Sequence, residues 1–514
     1  MSSNLFGKQT ISRRSFLAAA GTVPLAAALA GARLATNPGE QPNILIILTD
    51  QLAQKAVGAY GNRHVETPNI DELARGGVRF SKSYTNCPLC QPARAAMWTG
   101  RLPHTTGVNS NGMNYPVPTV SPRTPTMGEV FSEAGYEAVH FGKQHDAGSL
   151  RGFTLIKPEE EEHLESHPAW PVDYDSRRDV PTTRQVVDYL EQEHTRPFLA
   201  VASLNNPHDI CNWIGSFEGE HEDIAPPGGE LPPLPDNFKI KDLENRPRPI
   251  QYICCSHRRL RMASSWSEEN YRHYLAAYYH YTKMVDMQVG QIIEALKASP
   301  EGRNTLVVFL SDHGDGMGAH RMVTKQVSFY EEMTRIPMIF AGPGIAGPGK
   351  LLNEPLVSLI DLFPTLCELA SIKAPSRLPG ISMAGWLHGD NRAGNHEYVV
   401  SEWETEWGYT VSPGRMLRTE RYKYTCYLEG AGEELYDLEK DPGETRNLTT
   451  DRGYRDELEE HRRLLKEHTT AVRDPFFGQG VRVDKRWRSH KLGYQYHEGP
   501  SAPEAAWAEE EQQK

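Results

Sequence analysis

The sequence predicts an α/β fold built around a large, mostly parallel sheet. Residues 44–48 and 306–310 are continuous apolar runs, as in strands that helices cover on both faces. Each run is followed by an aspartate, Asp50 and Asp312. Because ligands of open α/β sheets bind outside the carboxyl ends of the strands, the two aspartates predict one shared site at that edge.

Further strands and helices are predicted between these two runs, which favours parallel strands joined by helical crossovers. Apolar segments predict strands at 137–141 and 198–204. Helical patterns and helix boundary signals predict helices at 69–76, 126–134, 183–193 and 268–298.

The character of the sequence changes after about residue 388. Short strands separated by turns, then a helix, predict a smaller C-terminal α+β subdomain with a short antiparallel sheet. The predicted strands are 398–402, 414–418 and 422–427, and the predicted helix is 453–472. The predicted organisation is a leader at 1–36, an α/β domain at 37–388, the α+β subdomain at 389–475 and a tail at 476–514.

The composition excludes some classes of protein. The 514 residues are 38% hydrophobic and 24% charged, as in a soluble globular protein. Lys and Arg number 55 against 67 Asp and Glu, a formal net charge of -12. This acidity disfavours a nucleic acid as the partner, while a local basic pocket for a small anion stays open.

The N-terminus has the features of an export signal. Arg13 and Arg14 precede an Ala-rich apolar run that extends to Ala32. The run is too short and too rich in Gly and Ala for a permanent membrane span. Residues 1–36 are therefore predicted to be a twin-arginine signal peptide read by the Tat export machinery, which places the folded protein in the periplasm or outside the cell.

Polar residues that suit a divalent cation follow the two apolar runs. Asp50 and Gln51 follow the first run, and Asp312 and His313 follow the second. Hard oxygen ligands with one imidazole suit Ca²⁺, Mg²⁺ or Mn²⁺ better than a thiolate-bound zinc. A single aspartate after a strand is common as a helix cap, so the prediction of a metal site depends on both strand ends together.

Several interpretations of Cys90 are open from the residues alone. With Cys87 it forms a C-x-x-C pair, a spacing typical of thiol redox chemistry or of half a zinc site. The sequence holds no second pair with this spacing. The other interpretation is a nucleophile at the start of a helix, where backbone N–H groups and Arg94 stabilise developing negative charge.

A longer motif contains Cys90. The stretch Cys90-x-Pro92-Ala93-Arg94, followed by Thr-Gly-Arg at 99–101, resembles the signature of type I sulfatases, a family of the alkaline phosphatase superfamily. Similar hallmarks of that family occur in order at 67–71, 135–136, 142–145, 206–208, 311–314, 330–331, 335–337, 434–438 and 441–442. The resemblance implies an alkaline-phosphatase-like α/β/α sandwich, with residues 37–388 as the catalytic domain.

The resemblance implies a modified cysteine and a bound cation. In this family the motif cysteine is oxidised to Cα-formylglycine, so a cytoplasmic maturation enzyme is an implied partner. The hydrated aldehyde at Cys90 is then the implied nucleophile. Calcium is the default cation of the family, with Mn²⁺ or Mg²⁺ left open. The implied ligands are Asp50, Gln51, Cys90, Asp312 and His313.

The resemblance also implies roles for residues around the nucleophile. Arg94 and His145 would hold and polarise the diol. Lys143 and Lys325 would clamp the sulfate oxygens and stabilise charge in the transition state. His208 is the expected general acid that protonates the leaving alcohol.

The expected function is therefore that of an exported sulfatase acting on a sulfated carbohydrate. Gln51 and His313 stand where aspartate and asparagine are frequent in the family. A Gln-plus-His pattern also resembles choline sulfatases and phosphonate monoester hydrolases. The alternatives are a phosphonate or phosphate ester hydrolase, a choline-sulfatase-like enzyme on another small sulfate ester, and an inactive relative that binds a sulfated glycan.

Overall fold

The computed structural model describes residues 41–478 with several gaps. The gaps are 110, 112–118, 158–177, 216–229, 240–245, 248, 251–262, 264–265, 326–327, 391, 405–412, 429 and 431. The predicted signal peptide 1–36 and nearly all of the predicted tail 476–514 lie outside the described residues.

An eight-stranded sheet forms the centre of the described chain. Its strands are β1 (Asn43–Asp50), β2 (Val78–Tyr84), β3 (Glu137–Gly142), β4 (Thr154–Ile156), β5 (Phe198–Pro207), β6 (Thr305–Ser311), β7 (Met338–Ala341) and β8 (Lys350–Ser358). They lie in the order β4-β3-β5-β1-β6-β7-β2-β8. Only β7 is antiparallel to its neighbours in this sheet. The prediction of a large, mostly parallel sheet is confirmed.

Helices cover both faces of this sheet. The helices of the described residues are α1 (Pro68–Gly76), α2 (Cys90–Thr99), α3 (Pro103–Thr106), α4 (Met127–Glu133), α5 (Asp179–Leu190), α6 (Ile210–Gly215), α7 (Glu268–Ala298), α8 (Glu331–Thr334), α9 (Leu362–Leu369), α10 (Ala384–Leu387) and α11 (Arg455–Val472), of which α11 packs on the small sheet described below. On β1, Leu45 and Ile47 enter a core with α1, α5 and α7. Ile44 and Ile46 enter a second core with α2, α4 and α9, because successive side chains of a strand point to opposite faces.

A small antiparallel sheet follows in the chain. Its strands are β9 (Val399–Trp403), β10 (Gly414–Arg418), β11 (Tyr422–Tyr427) and β12 (Gly432–Asp437). Leu458 and Leu465 of α11 share an apolar cluster with Leu417 and Leu435 of this sheet. The predicted α+β unit is thus present, while the domain boundary at 388/389 stays a prediction. Among the helices of the described residues, none has the length and apolarity that crossing a membrane requires.

The register of β1 with its two neighbours brings distant residues together. Thr49 pairs with Ser311 at the end of β6, and Asp50 pairs with Pro207 at the end of β5. The residues that follow those partners are Asp312 and His208. Three segments far apart in the sequence therefore meet at the carboxyl edge of the sheet, as the two strand-end aspartates predict.

Helix α5 begins four residues before its predicted start at 183. It runs from Asp179 to Leu190, with Pro181 in its first turn. Proline is tolerated there because the N–H groups of the first turn have no partner within the helix. The predicted start placed the helix after this proline and was therefore too late.

Gly142, the last residue of β3, has a backbone that only glycine fits. Its φ is +81°, and a Cβ there would collide with the carbonyl oxygen of Ser203 on β5. We expect Gly142→Ala to lower the free energy of unfolding by about 3 kcal/mol, from left-handed strain and the clash together. Urea denaturation measures this change.

Gly135→Ala is the matched control for this substitution. Gly135 has a φ of +92°, but no atom of the described residues lies within 4 Å of the position that a Cβ would occupy. We expect a loss of only about 1 kcal/mol from left-handed strain. Equal losses at the two glycines would show that the close approach of β3 to β5 contributes nothing.

His140 makes folding stability depend on pH. It is fully buried in β3, with its ring against Trp98 and Phe153. Burial, helped by the charge of Arg94, lowers the pKa of His140 from 6.5 to about 3. Between those two values the unfolded chain binds a proton that the folded chain does not, so stability falls as the pH falls below 6.5.

His140→Phe isolates this contribution. Between pH 7 and pH 5 the wild-type protein is expected to lose about 2 kcal/mol more unfolding free energy than the variant. Urea denaturation at both pH values measures the difference, and contributions from other histidines cancel in the comparison. Identical pH dependence of the two proteins would contradict a neutral, buried His140.

Candidate active site

Cys90 begins helix α2 beside the carboxyl end of β1. Leu89 before it is extended, so the side chain of Cys90 lies at the positive end of the helix dipole. Cys90 is only 1% exposed. Its Sγ lies 3.7 Å from Oδ1 of Asp50. The candidate nucleophile is therefore buried at the edge where the strand ends meet.

Arg94 lies one helical turn after Cys90 and joins side chains from β1, from β5 and from the residue that follows β6. Its Nε donates to Oδ2 of Asp312 at 2.8 Å, and its Nη2 donates to Oδ2 of Asp50 at 3.1 Å. Its Nη1 donates to Oγ of Ser203 at 2.8 Å. Arg94 and both carboxylates are fully buried, so the guanidinium compensates two charges that have no contact with water.

Two lysines add positive charge around the thiol. Nζ of Lys325 lies 2.9 Å from Sγ of Cys90 and 2.9 Å from Oε1 of Gln51. Nζ of Lys143 lies 2.9 Å from Oδ2 of Asp50. The side chain of Lys325 is 3% exposed and that of Lys143 is 17% exposed. Lys143 therefore lies on the more open side of the site.

The surrounding charges favour an anion at position 90. Burial and the Asp50 carboxylate act to raise the pKa of the Cys90 thiol. The positive charges of Lys325 and His313 outweigh both and hold the pKa well below its usual value. A site that stabilises a thiolate also stabilises a negatively charged oxygen in the same place.

The two carboxylates of the site differ in their acidity. Burial acts to raise the pKa of Asp50, but Lys143 and the other nearby cations outweigh it and hold this pKa well below its usual value. Burial and the charge of Asp50 raise the pKa of Asp312. Asp50 is therefore the more strongly ionised of the pair.

The donor atoms at this edge fit a divalent cation. One ligand atom from each of Asp50, Cys90, Asp312 and His313 lies within 4.8 Å of the others, and all four residues are buried. Nδ1 of His313 lies 2.8 Å from the carbonyl oxygen of Gly314. This contact turns Nε2 toward Sγ of Cys90, and an imidazole that bound a cation there would have no proton on Nε2.

The two other histidines expected at the site differ in their position. Nε2 of His208 lies 4.0 Å from Oδ1 of Asp50, and its side chain is 22% exposed. Burial and then the charges of Lys143 and Lys325 lower its pKa to about 3, so it is neutral at pH 7. His145 follows β3 in a left-handed conformation with a φ of 45°. No contact described for His145 joins it to Cys90 or Arg94.

Several residues of the site escaped prediction from the sequence. Ser203 accepts from Arg94, and Cys211 donates to Oε1 of Gln51 at 3.3 Å. Asp315 accepts from Gln51 at 2.7 Å. Only Asp315 had a usable signal, since it lies three residues after Asp312 in the same segment. A serine within a strand and an isolated cysteine have no pattern that points to a site.

Fold and site together define a class of enzyme. A large sheet with helices on both faces carries, at its carboxyl edge, a buried nucleophile position surrounded by three cations and two carboxylates. This arrangement suits an enzyme that acts on an anionic ester, as expected for a member of the alkaline phosphatase superfamily.

Comparison with known proteins gives the family. The sulfatase family model matches residues 42–372. The model of the C-terminal region of N-sulphoglucosamine sulphohydrolase matches residues 318–471. The chain belongs to the sulfatase family and is a sulfuric ester hydrolase.

Individual relatives align over most of their length. A Δ4,5-hexuronate-2-O-sulfatase of Bacteroides thetaiotaomicron is 52% identical over 482 residues, 93% of this chain and 98% of that protein. A choline-sulfatase of Rhizobium meliloti is 31% identical over 454 residues, 79% of this chain and 77% of that protein. A solved structure of a 2-O GAG sulfatase, 52% identical, has a TM-score of 0.84 and covers 90% of this chain and 100% of that one.

Proposed function

We propose that this sulfatase removes the 2-O-sulfate from a hexuronate residue of a sulfated carbohydrate, with the 4,5-unsaturated hexuronate as its preferred form. The observation that carries the proposal is the 52% identity to a Δ4,5-hexuronate-2-O-sulfatase along nearly the whole of both chains. The buried, positively charged surroundings of Cys90 support it, because they suit a small anionic ester group rather than a long neutral one.

Position 90 and the cation site together provide the chemistry of ester cleavage in this proposal. A cytoplasmic maturation enzyme carries out the oxidation of Cys90 to Cα-formylglycine, whose hydrate has the nucleophilic hydroxyl. Asp50, Gln51, Asp312 and His313 would hold a divalent cation, which would supply polarisation of that hydroxyl. The carboxylates and the imidazole favour Ca²⁺, Mn²⁺ or Mg²⁺. Calcium is the cation we propose, as the family resemblance implies.

The cations around position 90 bind and orient the sulfate group. Lys325 lies beside Sγ of Cys90, and Lys143 lies on the open side of the site. Two ammonium groups beside the sulfate oxygens offset the negative charge that would otherwise repel an incoming nucleophile. Arg94, whose donors are already used by Asp50, Asp312 and Ser203, holds the two carboxylates in place. His145 completes the polar surroundings of the nucleophile in this proposal.

His208 protonates the leaving oxygen. In the free protein, burial and the lysine charges keep His208 neutral. An anionic ester bound between Lys143 and Lys325 offsets those charges, which raises the proton affinity of the imidazole when the substrate is present. His208 then acts as the general acid and stays neutral in the empty site.

Export and maturation precede this activity in the proposal. Residues 13–14 are the twin arginines of a signal peptide, so the folded protein is exported after a cytoplasmic enzyme has modified Cys90. Replacing Arg13 and Arg14 with lysines is expected to retain the protein in the cytoplasm, as cell fractionation would show. Periplasmic recovery of that variant would contradict the twin-arginine route.

Two measurements test the proposed function. A peptide mass spectrum across Cys90, from a host that converts sulfatase cysteines, is expected to show an aldehyde or its hydrate in place of the thiol. Sulfate release from a 2-O-sulfated unsaturated hexuronate disaccharide is then compared with release from the same disaccharide sulfated only at O6 of its amino sugar. Preference for the 6-O-sulfated disaccharide would contradict the proposed substrate.

Assays of the same enzyme on other esters distinguish the alternative functions. Choline sulfate and matched nitrophenyl sulfate and phosphonate esters are assayed beside the disaccharides. Faster cleavage of the phosphonate ester would favour a phosphonate ester hydrolase, and faster cleavage of choline sulfate would favour a choline-sulfatase-like enzyme. An intact thiol at Cys90, with a control sulfatase converted in the same host, would contradict the formylglycine mechanism.

A further inference from the structure

The side-chain amide of Gln51 lies between two kinds of neighbour. Its Oε1 faces donors, Nζ of Lys325 at 2.9 Å and Sγ of Cys211 at 3.3 Å. Its Nε2 donates to Oδ2 of Asp315 at 2.7 Å. Gln51 and Asp315 are both fully buried, so water does not replace any of these partners.

Only one of the two orientations of this amide satisfies its neighbours. A flipped amide would place its NH₂ group against the ammonium of Lys325 and its oxygen against the carboxylate of Asp315. Both contacts would join like with like, donor to donor and acceptor to acceptor. In a buried site such unpaired groups cost their full desolvation penalty. The carboxylate of Asp315 is the group that selects the orientation on the Nε2 side.

Asp315 is itself held in place. The hydroxyl of Tyr274 donates to Oδ1 of Asp315 at 2.5 Å, and the backbone N–H of Met317 donates to the same oxygen at 2.8 Å. The hydroxyl oxygen of Tyr274 accepts from the N–H of Thr324 at 2.8 Å, which directs its proton to Asp315. These donors occupy Oδ1 and leave Oδ2 for Gln51.

We propose that Asp315 and Tyr274 are positioning residues that hold the amide of Gln51 with its oxygen toward Lys325 and the cation site. The inference rests on the proposed function, in which Gln51 is a ligand of the cation. A carboxylate offers an oxygen in either orientation, whereas an amide offers one in only a single orientation. A glutamine ligand therefore needs a fixed acceptor on its NH₂ side, and Asp315 provides it.

A charge exchange between positions 51 and 315 tests this proposal. In Asp315→Asn the donors of Tyr274 and Met317 hold the new amide oxygen on their side, so its NH₂ group faces Gln51 and favours the flipped orientation of the Gln51 amide. We expect it to weaken Ca²⁺ binding by about 10-fold or more, as loss of a group that orients a metal ligand does. The double variant Gln51→Glu/Asp315→Asn needs no orientation of the ligand and is expected to bind Ca²⁺ within about 3-fold of the wild type. Calorimetric titration of the full protein with Ca²⁺, without substrate, measures the affinities.

Tyrosine variants supply a second test and its control. Tyr274→Phe removes the hydroxyl that holds Asp315 without changing any charge, and we expect weaker Ca²⁺ binding with an unchanged circular dichroism spectrum. Tyr136→Phe removes a hydroxyl that donates to the carbonyl of Pro42 at 2.9 Å, at the opposite edge of the sheet. Tyr136→Phe is expected to leave the Ca²⁺ affinity unchanged.

The outcomes separate the inference from the function on which it rests. Wild-type affinity in Asp315→Asn and Tyr274→Phe, or a double variant that binds no better than Asp315→Asn, overturns the inference while the cation site stands. A wild-type protein that binds none of Ca²⁺, Mn²⁺ and Mg²⁺ overturns the cation part of the proposed function and the inference together.

Discussion

Cys90→Ala is expected to lower kcat/KM for sulfate ester hydrolysis by at least about 10⁴-fold, because it removes the group that forms the nucleophile. The rate that remains reflects only the binding of the sulfate group by the positively charged side chains that are left in the site. The measurement is sulfate release by wild-type and variant proteins purified from a host that converts sulfatase cysteines. Hydrolysis that is indifferent to this substitution would contradict every mechanism in which position 90 is the nucleophile.

Cys87→Ala is the matched control for this experiment. Cys87 lies three residues before Cys90, and it is also buried, at 2% exposed. Burial, the first of several causes, raises the pKa of its thiol well above the usual value, in contrast to that of Cys90. We expect Cys87→Ala to keep hydrolytic activity. Loss of activity in this variant alone would favour the C-x-x-C redox interpretation of the pair.

Arg94→Met is expected to lower the free energy of unfolding by about 3–5 kcal/mol, the cost of breaking a buried charge cluster from one side. The guanidinium donates to Asp50 and Asp312, and all three side chains are fully buried. Methionine fills similar space but compensates neither carboxylate. Urea denaturation in the presence of a chelator measures the loss without rescue by a cation.

Two further variants separate uncompensated charge from lost packing. Adding Asp50→Asn and Asp312→Asn to Arg94→Met removes the unpaired charges, so stability is expected to recover in part. Arg463→Met breaks ion pairs with Glu460 and Glu467 on the exposed face of α11, and we expect no measurable change because surface pairs contribute little. A triple variant less stable than Arg94→Met would contradict the electrostatic explanation.

The sequence predicts the site at the carboxyl ends of the central strands better than it predicts the sheet as a whole. Continuous apolar runs identify β1 and β6, and the aspartates after them do meet. Strand β2 contains the half-exposed Arg79 and Lys82, and β8 contains Pro355, so neither has the continuous apolar pattern. Strand β7 has four residues, too few for any periodicity. These three strands lie together on one side of the sheet.

The neighbours of a site residue are harder to predict than the residue itself. Cys90 and Arg94 belong to one local motif, and their spacing places them one helical turn apart. Tyr274 reaches Asp315 from the second turn of a 31-residue helix, where an aromatic residue is expected to be part of the apolar core. Its role depends on the tertiary position of one hydroxyl group, and local sequence patterns contain no information on that position.

In the proposed maturation, the small C-terminal sheet limits the time in which Cys90 is modified. The N–H of Glu402 on β9 donates to the carbonyl of Asn86 just before α2, and Nδ2 of Asn86 donates to the carbonyl of Val400. The segment just before Cys90 thus gains these contacts with the small sheet only after the ribosome has made β9–β12. At about 5–20 residues per second, synthesis from Cys90 to Asp437 takes roughly 20–70 s. A modifying enzyme that needs an accessible thiol has that interval during translation, and slower elongation would lengthen it.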